Sequence, residues 1–229
     1  MSESAQTPRL RDIHVVAAAK GSKESTLIYE SLGKLGISSF EVIEHNRRGL
    51  PLVYNEVLDR FAGQDRIVVL VHSDVQICDV FIREKLSAAA AAFNIIGVVG
   101  SAQFDPDRQT PNFAWTIWPE KVLSGSVEQE LSDGSSVWCA YGPTPRRCIA
   151  MDGVFLAIDM LTIGAVRFDT QFSFHLYDID FCLSAHVKRM VLGTTNIFIH
   201  HASFGDFESA EYRHALALFR AKWSSGMPA

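Results

Sequence analysis

The sequence lacks the features that identify several common classes of protein. Its 21 basic residues against 26 acidic ones give a net charge of −5, so no basic excess is available to neutralise a nucleic-acid backbone. Its four cysteines include no CxxC pair, which disfavours a zinc knuckle or a secreted disulfide framework. No apolar run approaches the roughly 20 residues that a membrane span needs. We therefore expect a soluble, cytoplasmic protein that binds no nucleic acid.

Three motifs of well-known α/β enzymes are also missing. No GxGxxG opens a helix, no GxxxxGK[ST] occurs, and no GxSxG marks a nucleophile elbow. These absences disfavour dinucleotide oxidoreductases, P-loop enzymes and α/β-hydrolases. With 229 residues, 48% of them hydrophobic, the chain is long enough for one sizeable core. The sequence predicts a flexible segment at 1–11 and a single domain at 12–229.

Strand-like and helix-like patterns alternate over the first hundred residues. The valine-rich run at 66–71 is typical of a central parallel strand covered by helices on both faces. Four strand-helix alternations predict an α/β fold with a Rossmann-like, mostly parallel sheet. The predicted strands are 13–19, 38–44, 66–71 and 94–100, and the predicted helices are 25–35, 51–61 and 80–93.

The pattern changes between 101 and 147, where short segments alternate with turn residues and aromatic side chains. We interpret this stretch as a smaller insertion that shapes a pocket. Regular patterns return afterwards. They predict a regular segment at 149–158, a helix opening near Asp178, a strand at 194–199 and a helix at about 208–223.

Asp74 is the first candidate functional residue because it follows the buried run at 66–71. In open α/β sheets, ligands bind beyond the carboxyl ends of the parallel strands, which is where this carboxylate is expected. The structural alternative is an aspartate that caps a helix or forms a turn.

Asp178 and Asp180 precede a helical pattern and form the second candidate group. Aspartates in a first helical turn accept its unpaired N–H groups, which by itself explains both. The functional alternative is a general base within hydrogen-bond reach of an acceptor hydroxyl. Because helical residues two positions apart point in nearly opposite directions, at most one is expected to face a cleft. We select Asp178, which lies nearer the preceding loop.

His200 and His201 stand where an apolar run stops. A neutral imidazole at a strand end suits a divalent metal, although a surface or hydrogen-bonded histidine is the structural alternative. Adjacent residues of a strand face opposite ways, so at most one of the two is expected to coordinate. The sequence slightly favours His200.

Five stretches, in this order, resemble family-2-like GT-A glycosyltransferases. The likeness spans roughly 13–223 and is closest to the short subgroup related to the streptomycin-biosynthesis glycosyltransferase-like proteins. The stretches are YN at 54–55, VHSDV at 71–75, MDGVF at 151–155, FHLYDIDFCL at 174–183 and HH at 200–201.

The resemblance implies an inverting transfer from a nucleotide-diphosphate sugar, with UDP favoured, to a saccharide, lipid-linked or small-molecule acceptor. It also implies Mn²⁺ or Mg²⁺, held by Asp74 with His200 or His201. Asp178 takes the general-base position, and Asp180 matches the later aspartate of the same motif. The resemblance places Ala18, Lys20, Asn46, Asn55, His72, Asp74, Asp152 and Gly153 beside the nucleotide sugar. It places the insertion at 101–147, with Trp115 and Trp138, and Tyr177 on the acceptor side. For the two tryptophans, packing within the insertion is the structural alternative.

Two residues depart from the family pattern. His72 replaces the first aspartate of the family's Asp-x-Asp, and Tyr177 replaces the usual glutamate. A noncatalytic nucleotide-sugar-binding or scaffold protein is therefore the alternative function. A sugar nucleotidyltransferase is disfavoured because no glycine-rich phosphate loop lies near the N-terminus. Basic residues of the terminal helix would allow peripheral contact with a membrane, unless that helix packs with Leu216, Phe219 and Trp223 inward.

Overall fold

A computed structural model describes residues 9–104, 120–203 and 208–223. Short 3-10 helices lie at Lys23–Ser25 and Glu120–Val122. The strands of the described residues are β1 (Asp12–Ala18), β2 (Phe40–Ile43), β3 (Arg66–Val71), β4 (Val75–Ile77), β5 (Ile95–Gly97), β6 (Val99–Ser101), β7 (Leu123–Glu130), β8 (Ser136–Gly142), β9 (Arg146–Cys148), β10 (Ala150–Met151), β11 (Phe155–Asp159), β12 (Leu192–Thr194) and β13 (Ile199–His201). The helices are α1 (Leu27–Lys34), α2 (Leu50–Phe61), α3 (Ile82–Ala89), α4 (Tyr177–Val187) and α5 (Ala210–Trp223).

The larger sheet has the strand order β2-β1-β3-β11-β5-β12-β9. Strands β2, β1, β3, β5 and β12 run in one direction, and β11 and β9 run against them. The predicted α/β class with a mostly parallel sheet is confirmed. Strand β11 was not expected between β3 and β5, because sequence patterns carry no information on which strands become neighbours.

Strand β3 is buried on both faces of this sheet. Val68 and Leu70 pack with α2 and α4, whereas Val69 and Val71 pack with α1 and α3. Successive side chains of a strand point to opposite faces, so a strand covered by helices on both sides is apolar at every position. This two-sided burial accounts for the continuous valine-rich run.

A second sheet has the order β10-β6-β7-β13-β4, and β8 pairs with β7. In two places, the sequence predicts one strand where the structure has two strands that belong to different sheets. The run at 94–100 is divided into β5 and β6, one in each sheet. The predicted strand at 194–199 is wrong for the same reason. The chain leaves β12 through a turn in which the Ile197 amide bonds to the Thr195 carbonyl, and it enters the second sheet as β13.

The C-terminal helix α5 packs against α4 through its last turn. Trp223 Nε1 donates to Asp180 Oδ1 at 2.9 Å, and Lys222 Nζ lies 2.8 Å from the same oxygen. Lys222 also pairs with Asp169 at 2.7 Å, and Phe219 is fully buried. The inward-packing alternative therefore describes this helix. Within the described residues, no helix has the length and apolar character needed to cross a membrane.

The two sheets meet near the end of β3. Strands β1, β2 and β3 are parallel, so their carboxyl ends lie at one edge. The chain leaves β3 through His72, Ser73 and Asp74 and enters β4, which pairs with β13. His201 is thereby placed opposite Val75, immediately after Asp74. Side chains from distant parts of the chain converge at this edge.

Candidate functional site

A cleft of about 780 Å³ opens at the carboxyl ends of the parallel strands. This is where open α/β sheets bind ligands. One wall follows β1, β2 and β3, and the opposite wall is formed by residues 171–175 and by α5. Of the residues predicted to contact a nucleotide sugar, the cleft is lined by Ala18, Lys20, Asn46, His72 and Asp74.

Basic side chains follow the first two strands at this cleft. Lys20 and Arg47 are exposed. Arg48 is paired with Glu56 through both guanidinium nitrogens at 2.7 Å. Asn46 does not reach into the cleft with a free amide, because its side chain bonds to the backbone N–H and C=O of Arg48. Asn46 therefore shapes the loop, and Lys20 and Arg47 supply positive charge for an anionic ligand.

Three side chains at the cleft form a candidate metal site. His72, Asp74 and His201 each offer one ligand atom, and these atoms lie within 4.8 Å of one another. Nε2 of His201 is 3.7 Å from Oδ1 of Asp74. Two imidazoles and one carboxylate fit a first-row divalent ion such as Mn²⁺ better than Mg²⁺, which prefers oxygen ligands. Three protein ligands also leave coordination positions for a second molecule.

The protonation states of His72 and Asp74 suit metal binding. Burial lowers the pKa of His72, although Asp74 acts in the opposite direction. Burial opposes the charge on Asp74, but His201, the Ser203 hydroxyl and His72 together lower the pKa of its carboxyl. At neutral pH, His72 is therefore a neutral imidazole and Asp74 a carboxylate. These are the forms that bind metal ions.

His200 lies on the other face of β13. Its Nδ1 is 3.3 Å from Glu128 and its Nε2 is 3.4 Å from Glu130. Alternation along the strand turns this ring away from Asp74 and turns His201 toward it. The structure therefore places His201 in the cluster, rather than the His200 that the sequence slightly favoured.

A hydrogen-bond network joins the cluster to Asp178. The Tyr177 hydroxyl lies 3.2 Å from Nε2 of His72 and donates to the Gly153 carbonyl at 3.3 Å. The Gly153 amide donates to Oδ2 of Asp178 at 2.7 Å. Burial, with a further contribution from Asp152, raises the pKa of Asp178 to about 7. Tyr177, Gly153, Asp152 and Asp178 are not among the residues that line the cleft.

Several predicted site residues lie elsewhere. Asn55 bonds to the backbone N–H and C=O of Phe168. Asp180 bonds to α5 as described, so the two aspartates of α4 do point apart. Trp138 pairs across the strands with Glu128 and packs edge-on against Phe198 at 5.2 Å, which puts it on the face of His200. Trp115 falls outside the described residues.

Three contacts were not foreseen from the sequence. Gln129 bonds to His201, and the Ser203 hydroxyl donates to Asp74. Phe174 is half exposed at the cleft and stacks on His72 with centroids 5.8 Å apart. Ser203 follows His201 by two positions, a spacing from which its side could have been inferred. The contact of Gln129 could not be inferred, because the pairing of β7 with β13 has no signal in the sequence.

Gly153 is packed too closely for a side chain. A Cβ atom there would lie 2.5 Å from the Tyr177 hydroxyl and 2.8 Å from Cβ of Asp178. We expect Gly153→Ala to lower the free energy of unfolding by about 1–3 kcal/mol because both neighbours must move. Denaturant unfolding measures this change. Gly33→Ala in α1 is the control, since nothing lies within 4 Å of its Cβ position. Equal stability of the two variants would contradict the tight packing at Gly153.

Comparison with known proteins identifies the fold. No protein-family model and no curated protein matches the sequence. Among solved structures, the chain is similar to GalNAc-T7 with UDP, GalNAc and Mn²⁺, at TM-score 0.57, 10% identity and coverage of 93% of this chain and 48% of that one. The chain has a GT-A-like fold. It spans about half the length of the GalNAc-T7 chain, and such low identity shows the fold alone.

A second similar structure is A197 from STIV. It aligns at TM-score 0.51 and 13% identity, and the match covers 85% of this chain and 86% of A197. The GT-A-like core is therefore matched over most of both chains. The comparisons do not identify the streptomycin-related subgroup.

Proposed function

We propose that this chain is a metal-assisted, inverting glycosyltransferase that moves a sugar from a nucleotide-diphosphate sugar to an acceptor hydroxyl. The observation that carries the proposal is the group of His72, Asp74 and His201 at the strand-end cleft of a GT-A-like fold. The streptomycin-related subgroup remains part of this proposal and is supported by sequence motifs alone.

The donor is proposed to bind in the cleft. Lys20 and Arg47 offset the charge of its diphosphate, while His72, Asp74 and His201 hold a divalent cation. When bound, such an ion neutralises negative charge that develops on the departing diphosphate. Mn²⁺ is favoured because two of the three ligands are imidazoles. A UDP-sugar is favoured, again with Mn²⁺, because GalNAc-T7 was solved with UDP, GalNAc and Mn²⁺.

Asp178 is proposed as the general base. The acceptor oxygen forms a bond to the anomeric carbon as the bond to the diphosphate breaks, and the acceptor proton passes to Asp178. Attack opposite the leaving group inverts the anomeric centre. A base acts best when its pKa is near the working pH, and the pKa of this carboxyl is about 7. The Gly153 amide donates to Oδ2 of Asp178 and holds the carboxylate in place.

The acceptor is proposed to be a saccharide, a lipid-linked sugar or a small molecule that carries a hydroxyl group. The exposed ring of Phe174 beside His72 offers an apolar surface for a sugar ring. A cytoplasmic location is also proposed, since all four cysteines are free thiols.

Calorimetric titration with UDP, GDP and dTDP, each with and without Mn²⁺, tests the proposal. We expect one nucleotide, UDP by preference, to bind only when Mn²⁺ is present. Equal binding without the ion would indicate a noncatalytic nucleotide-binding protein. Absence of binding to all three would favour the scaffold alternative. Release of UDP from a UDP-sugar in the presence of Mn²⁺ would then separate an enzyme from a binding protein.

A further inference from the structure

Gln129 lies behind the candidate metal site, on strand β7. Its Nε2 donates to the backbone carbonyls of His201 at 3.0 Å and Ser203 at 2.8 Å. Its Oε1 lies 3.1 Å from Nδ1 of His201. One amide therefore contacts both the backbone and the ring of a proposed metal ligand, although the structure does not place it among the ligands.

The orientation of this amide is determined by its neighbours. Carbonyl oxygens accept hydrogen bonds and cannot donate them, so the amide nitrogen must face the carbonyls of His201 and Ser203. If the amide were reversed, its oxygen would face the carbonyl oxygens of His201 and Ser203, and none of these three atoms carries a proton to share. The oxygen of Gln129 therefore faces the His201 ring.

The amide orientation in turn determines the tautomer of His201. An amide oxygen only accepts, so Nδ1 of His201 must carry the proton. In a neutral ring, the lone pair then belongs to Nε2. This is the nitrogen that lies 3.7 Å from Asp74.

We propose that Gln129 is a positioning residue that presets His201 as the Nδ1–H tautomer, with its Nε2 lone pair directed at the metal position. This inference rests on the proposed metal site. The same segment also orients Asp74, because the Ser203 hydroxyl donates to Oδ2 of Asp74 while Gln129 holds the Ser203 carbonyl. Strand β7 thus contacts the proposed metal site through Gln129.

The tautomer is measurable without metal. We expect nitrogen NMR of the metal-free protein, recorded at a pH above which the His201 signals no longer change, to show the proton of His201 on Nδ1. Gln129→Leu removes the acceptor and is expected to abolish this preference. Gln129→Glu retains an acceptor but loses both bonds to the backbone carbonyls, and it is expected to keep the tautomer while lowering stability. An Nε2–H tautomer in the wild type, or an unchanged tautomer in Gln129→Leu, would overturn the inference.

Metal affinity is the second measurement. Loss of an outer partner of a metal-binding histidine typically costs 10- to 100-fold in affinity, and we expect a loss of about that size for Mn²⁺ in Gln129→Leu. Glu128→Gln is the matched control, because this neighbouring side chain contacts His200 on the opposite face. Equal affinities in the two variants would overturn the positioning role. A wild type that binds no Mn²⁺ would refute the proposed function, and the tautomer measurement would still decide the role of Gln129.

Discussion

Asp178→Asn is expected to abolish sugar transfer and at the same time to stabilise the folded protein above neutral pH. A positioned general base contributes about 10²- to 10⁴-fold to a rate, and the amide cannot accept the acceptor's proton. We expect turnover to fall by about that factor, with little change in nucleotide affinity. Release of UDP from a UDP-sugar, with and without a candidate acceptor, measures the effect.

The gain in stability follows from the raised pKa. Asp178 titrates at about 7 in the folded chain against an ordinary value of 3.8, so the folded state holds the proton more tightly than the unfolded state. Its contribution to stability is therefore largest at low pH and is lost as the pH rises through 7. Asn cannot ionise and escapes this loss. Because one pKa unit corresponds to about 1.4 kcal/mol, the difference between 7 and 3.8 corresponds to a gain of at most about 4 kcal/mol at alkaline pH.

Asp180→Ala is the control within the same helix and is expected to change stability in the opposite direction. It removes the acceptor of the buried Trp223 indole and one partner of Lys222. Loss of such a buried partner costs about 1–3 kcal/mol. Denaturant unfolding at low and high pH compares the two variants. Near-wild-type turnover in Asp178→Asn would eliminate this residue as the base, and lower stability at alkaline pH would contradict its raised pKa.

His201→Gln is expected to abolish Mn²⁺-dependent nucleotide binding, whereas His200→Gln is expected to leave it intact. The two residues are adjacent and chemically identical, but only the His201 ring lies beside Asp74. Replacing an outer-shell partner of a ligand already lowers metal affinity by about 10- to 100-fold. We therefore expect replacement of a ligand itself to lower the Mn²⁺ affinity by more than about 100-fold. Calorimetry with Mn²⁺ and UDP measures this difference.

The paired design separates coordination from folding. His200 contacts Glu128 and Glu130, so its replacement also removes local contacts of β13. Similar melting temperatures for the two variants would show that the strand is intact in both. If His200→Gln weakened Mn²⁺ binding as strongly as His201→Gln, the proposed ligand set would be incorrect.

The sequence correctly predicted the elements whose spacing of apolar residues directly reflects which of their faces are buried. The run at 66–71 coincides with β3, because helices on both faces require an apolar residue at every position. Helix α2 also follows its spacing, with Pro51 in the first turn. Asp74 was readable because it ends such a strand.

Pairing between distant strands could not be predicted in the same way. β12 and β13 are three residues each and belong to different sheets, so the turn between them is set by their partners rather than by propensity. The choice between His200 and His201 depends on which face of β13 meets Asp74. The role proposed for Gln129 depends on the register that pairs it with His201. All three features depend on strand pairing in the second sheet, which local sequence patterns do not encode.

The order of the cluster along the chain has a consequence for biosynthesis. His72 and Asp74 follow the third strand, whereas His201 belongs to the last strand of the described chain. During synthesis on the ribosome, the first two side chains emerge long before the third. A chain that terminates before residue 201 contains all the strands of the parallel pairs β1–β2 and β1–β3, but its His72 and Asp74 lack their third partner.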